Sequence, residues 1–117
     1  MSAGELTVLW SERQALENLD GDDVLLREVI VLMIDYLQQG LEPARVYQAG
    51  GDFAGLRRLT HALLPSLRML GLEPQALVWE AFEFAVLAGD DAGSARLAHD
   101  VMQQWPQILL VFRSYLA

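Results

Sequence analysis

Glycine-centred breaks at Asp20-Gly21-Asp22, Gly50-Gly51-Asp52, Gly71 and Gly89-Asp90-Asp91 divide the chain into segments whose apolar residues recur three or four positions apart. A glycine free to take positive φ ends a helix, and at the first of these breaks Asp22 or Asp23 caps the next. Alternating Thr/Val/Ile/Tyr runs bounded by hairpin turns are missing from the sequence. The pattern therefore predicts an all-α chain. Connections this short make successive helices antiparallel neighbours, so the expected architecture is an antiparallel four-helix bundle with one or two additional short helices.

The segments can be placed one by one. Ser11-Glu12-Arg13-Gln14 reads as a capping box opening a short helix through about Leu19. Asp22 or Asp23 caps a second helix to about Gln39, with Leu26, Val29, Ile30, Met33 and Leu37 inward and Gly40 as its end. Val29, Ile30 and Val31 are β-branched, but the helical period continues around them and outweighs that local propensity. Pro43 suits the first turn of a third, short helix to Ala49. A fourth runs from Phe53 or Ala54 to Leu70 and closes at Gly71; a fifth covers about 75–88; the last covers about 92–116. Pro106 predicts a kink or short break near Gln104-Trp105 in that last helix. With 117 residues and no linker, the chain reads as a single domain, 1–117, with 1–10 as a flexible N-terminal extension.

Composition narrows the chemistry. The formal charge is -8, and all eight basic residues are arginines, so any positive site must be built from guanidinium groups. No basic stripe exists to follow a phosphate backbone, which argues against nucleic acid as a partner. The absence of cysteine removes disulfides, thiolate catalysis and cysteine-held metals. The longest apolar run, Val29 to Ile34, is six residues, against the roughly 20 that a membrane span needs. No basic segment leads into a long apolar stretch near Met1, so no secretory signal is read and a cytoplasmic location is expected.

The fourth helix holds the residue of interest. At about 100° per residue, Leu56, Leu59, Leu63, Leu67 and Leu70 form one stripe, read as the buried face. His61 falls nearly opposite its centre and should point into water. Arg57 precedes it by four residues and Arg68 follows by seven on the same outer side, with Arg58, Leu64 and Pro65 nearby. Guanidinium groups can pair with phosphoryl oxygens, and a neutral imidazole is nucleophilic near pH 7. An exposed histidine in such company is a sensible phosphoryl carrier. The only other histidine, His99, has no comparable arginine grouping.

The stretch Ala49-Gly50-Gly51-Asp52-Phe53-Ala54-Gly55-Leu56-Arg57-Arg58-Leu59-Thr60-His61-Ala62-Leu63-Leu64-Pro65-Ser66-Leu67-Arg68-Met69-Leu70-Gly71 resembles the signature of histidine-containing phosphotransfer domains. The resemblance covers most of the chain, from about Leu16 to Leu116. It implies a helical bundle in which His61 is the phosphoacceptor, Gly51-Asp52 the turn before its helix, and Gly71 the glycine closing that helix. Such domains pass a phosphoryl group between aspartates of response-regulator receiver domains, sometimes from a hybrid sensor kinase, and hold no cofactor. Magnesium is expected on the receiver. Arg58, Leu64 and Pro65 would belong to the docking surface. The sequence departs from the family at Leu64, where a lysine usually stands; Arg57 and Arg68 are the candidates to steady the phosphoryl group in its place. The alternative is an adaptor that binds a receiver or another signalling protein through the same face without carrying phosphate.

Other readings find less support. Glu80 and Glu83 begin no Glu-x-x-His pair, so a di-iron carboxylate site is not expected. Asp20, Asp22 and Asp23 lack the spacing of a calcium loop and read as helix caps. No metal site is expected. Trp79, Phe82, Phe84, Trp105 and Phe112 are read as core or near-core residues. The fifth helix is apolar on more than one side, which suits either a central position or a partner, so the chain is expected to be a monomer or weak homodimer.

Overall fold

Side-chain caps set the starts of four of the five helices in the computed structural model, which describes residues 8–117. The helices are α1 (Glu12–Asn18), α2 (Asp23–Ala49), α3 (Phe53–Met69), α4 (Glu73–Leu87) and α5 (Asp91–Leu116). Ser11, Asp22, Asp52 and Asp90 each accept an early amide of the helix that follows. Only α4 lacks a side-chain cap, and it has Pro74 in its first turn instead. Gly51 and Gly71 both take positive φ, 69° and 81°. Gly71 also lies against Ser11, whose amide donates to the Gly71 carbonyl at 3.1 Å; a Cβ there would fall 2.2 Å from the Ser11 carbonyl oxygen.

Helices α2 to α5 form the all-α bundle expected. Their shared core gathers Leu26, Ile30, Met33, Leu37, Leu56, Leu67, Trp79, Phe82, Trp105, Ile108 and Phe112. Trp79 and Trp105 stack at its centre with ring centroids 5.2 Å apart. Their indole N–H groups are satisfied there, Trp79 by the Gln104 side chain at 3.0 Å and Trp105 by the Leu37 carbonyl at 2.8 Å. Among the described residues no helix is long and apolar enough to cross a membrane.

Several boundaries differ from the sequence reading. Gly40 does not end a helix, and Pro43 does not begin one: α2 runs unbroken through both. Gly40 serves close packing. A Cβ at this position would lie 2.9 Å from Cζ2 of Trp105, so the missing side chain lets that indole rest on the α2 backbone. Pro43 removes the amide that the Gln39 carbonyl would accept, yet packing on both sides carries the helix past it. In the same way α5 is continuous across Pro106, with no break at Gln104-Trp105.

The end of the proposed flexible extension is docked as well. Val8 is buried, and Trp10 sits edge-on to Phe112 and Tyr115 while donating to the Leu70 carbonyl at 2.6 Å. Buried Gln75 lies against the backbone of Leu9; with its side-chain amide turned over, the nitrogen donates to the Leu9 carbonyl at 3.0 Å and the oxygen accepts from the Leu9 amide at 2.7 Å. Residues 1–7 of that extension lie outside the described residues. Phe84, read as core, is instead 62% exposed on the outer face of α4.

Candidate functional site

The α3–α4 pair positions the site. His61 stands ten residues before Gly71 and Glu83 twelve after it, so an antiparallel pair folded at that glycine brings both to the same height. His61 Nδ1 lies 3.0 Å from Glu83 Oε1. The two partners differ sharply in environment: the imidazole is 67% exposed and the Glu83 side chain 9%. An ionised carboxylate only accepts, so the proton belongs on Nδ1. Nε2 is then left with its lone pair, on a ring whose orientation is fixed from below.

The backbone beneath is well held. Thr60 is fully buried, and its hydroxyl donates to the Arg57 carbonyl one turn back at 3.0 Å. The buried face of α3 consists of Gly55, Leu56, Thr60, Leu64 and Leu67. This is rotated from the expected leucine stripe: Leu59 and Leu63 are only half-buried, while Leu64 is 6% exposed. The assignment of Leu64 to a docking surface is therefore corrected. The wheel centred the face on the leucines, whereas the covered side of α3 is the one holding Thr60 and Leu64.

The arginines separate into different roles. Arg68 donates to Glu80 at 2.9 Å and to Glu73 at 3.4 Å, both on α4. The Glu80 hydrogen bond, with the charges of both carboxylates, pushes its already high pKa higher. This guanidinium is occupied. Arg57 is half-buried and its Nε is buried without a hydrogen-bond partner. Among the described residues no carboxylate pairs with Arg57 or with the exposed Arg58. Pro65 is exposed beyond His61, and Gly51 and Asp52 hold the start of α3, with Asp52 accepting from Gly55 N at 2.9 Å.

On the α2 side of α3, away from the His61–Glu83 contact, an apolar groove of about 290 Å³ opens between α2 and α3. Tyr36, Pro43, Leu59, Ala62, Leu63 and Trp105 line most of it. The half-buried leucines of α3 thus line a recess that the sequence reading had assigned wholly to the core. Among the described residues no cluster of His, Asp or Glu is arranged to hold a metal ion.

Glu83 is the residue of the candidate site that the sequence reading missed, having weighed it only as a metal ligand. The similar spacing of residues 61 and 83 about Gly71, ten before and twelve after, was the available signal. Comparison with family models, with curated proteins and with solved structures returned no match.

Proposed function

We propose that this chain is a histidine phosphotransfer protein, in which Nε2 of His61 accepts a phosphoryl group from an aspartate of a response-regulator receiver domain and returns it to another. One observation carries the reading: an exposed imidazole is held through Nδ1 by a buried carboxylate, which presents Nε2 to solvent as the nucleophile. A surface histidine with no role needs no such partner. The resemblance of the segment 49–71 to the phosphotransfer signature supports the same conclusion.

In this reading Arg57 is the cation best suited to steady the phosphoryl oxygens, since Arg68 is bound to two glutamates. The exposed surface of α3 around His61, which includes Arg58 and Pro65, is the face that a receiver or a hybrid sensor kinase would cover. The receiver supplies its own magnesium; the carrier needs no cofactor and works in the cytoplasm. The second reading, a docking adaptor that carries no phosphate, is favoured by one observation: Leu64, buried and apolar, occupies the place of the family's cation.

The deciding experiment mixes the purified chain with a phosphorylated receiver and magnesium, and separately with phosphoramidate, alongside His61→Ala. Phosphotransfer predicts an acid-labile phosphoryl group in the unmodified chain and none in the variant. Receiver binding without label from either donor would establish the adaptor.

A further inference from the structure

We propose that the Glu83 carboxylate makes His61 a short-lived phosphoryl carrier, a relay point that passes the group on quickly and stores it poorly. The inference rests on the phosphotransfer reading and concerns the lifetime of the phosphohistidine.

The chemistry follows from which nitrogen holds the proton. In uptake, the Nε2 lone pair attacks the phosphorus of an aspartyl phosphate. The P–N bond forms as the P–O bond breaks, and the aspartate leaves with the electron pair. The ring already carries its proton on Nδ1, so it becomes a cation. Glu83 faces that cation at 3.0 Å from a position only 9% exposed, where little water screens the attraction. The proton therefore stays on Nδ1 while the phosphoryl group is in residence.

That proton governs departure. When a receiver aspartate attacks the phosphorus, the P–N pair returns to Nε2 and the ring leaves as neutral imidazole, with no proton transfer needed. Without the Nδ1 proton the leaving group would be an imidazolide anion, a far poorer one. Water can attack in the same way, giving inorganic phosphate and releasing its proton to solvent. A ring kept in its leaving-ready form is thus quick toward both acceptors.

Little opposes this on the phosphoryl side. Leu64 contributes no charge, and Arg68 is held by Glu73 and Glu80. Arg57 and Arg58 are the α3 cations left to restrain the phosphoryl group.

The test phosphorylates the whole chain and Glu83→Gln with phosphoramidate, removes the donor, and follows decay by phosphorus NMR with and without a receiver. Glutamine keeps the shape and an oxygen to accept from Nδ1 but removes the charge. The expected result is a phosphohistidine half-life at least about threefold longer in Glu83→Gln, with correspondingly slower transfer to the receiver, because a charged acceptor holds the proton more strongly than a neutral one. An equal or shorter half-life overturns the proposal. Should Glu83→Gln not fold, Glu83→Asp decides: the charge is kept but withdrawn, so a lengthened half-life supports the proposal and an unchanged one overturns it. Failure of the unmodified chain to label at His61 would instead defeat the phosphotransfer reading, and this inference with it.

Discussion

At the scale of single residues, the account turns on a few side chains of α3 and their partners. Thr60 fills a fully buried position and returns its hydroxyl to the Arg57 carbonyl. Thr60→Val should cost about 1 kcal/mol, the net worth of one such hydrogen bond, measured by urea denaturation. Leu64→Lys puts an amine where the family keeps one, but in this chain the site is buried in the core. It should destabilise the fold by about 2 kcal/mol, combining lost apolar packing with desolvation of the charge, as read from the same titrations. His61 itself was legible in the sequence, because its position on the wheel and its arginine neighbours are local. Glu83 was not, since its meaning arises only when a second helix is laid beside the first. Leu64 was misread for the same reason: a wheel gives angles around one helix, and only the neighbour decides which angles are covered.

Among the helices, the sequence showed both starts and ends to within a residue or two, and its one false boundary lay inside α2. Caps are local hydrogen bonds between a side chain and amides two or three residues on, so Ser11 and Asp22 announce themselves, and Asp52 and Asp90, read only as parts of breaks, turn out to fill the same role. Asp52→Ala should therefore weaken the start of α3 by about 1 kcal/mol, detectable as a lowered denaturation midpoint. Gly40 and Pro43 carried false stop signals because the reasons for them lie in another element. Gly40 admits Trp105, and the packing of α2 against the bundle outweighs the hydrogen bond lost at Pro43. Gly40→Ala makes the contrast measurable. In an exposed helix that change stabilises by about 1 kcal/mol. Here the new methyl meets the indole at 2.9 Å, so a net loss of about 1–2 kcal/mol is expected from overpacking, again by urea denaturation.

For the molecule as a whole, the helix class and the core aromatics were readable because helical period and apolar content are spread over the entire chain. The half-open α2–α3 seam was not readable, nor was the docking of Val8 to Trp10 on the end of the bundle. Both depend on how four helices share one core. The consequence for function is that α3 presents His61 to solvent together with Arg57 and Arg58, which no carboxylate among the described residues pairs, while a buried carboxylate holds the imidazole from within. The most direct check is a long-range proton–nitrogen NMR spectrum of the His61 ring, taken before and after treatment with phosphoramidate. The account predicts an unphosphorylated ring with its proton on Nδ1 and a bare Nε2, followed by phosphorus coupling at Nε2. A proton resting on Nε2 before treatment, or a ring that takes up no phosphorus afterwards, would contradict it.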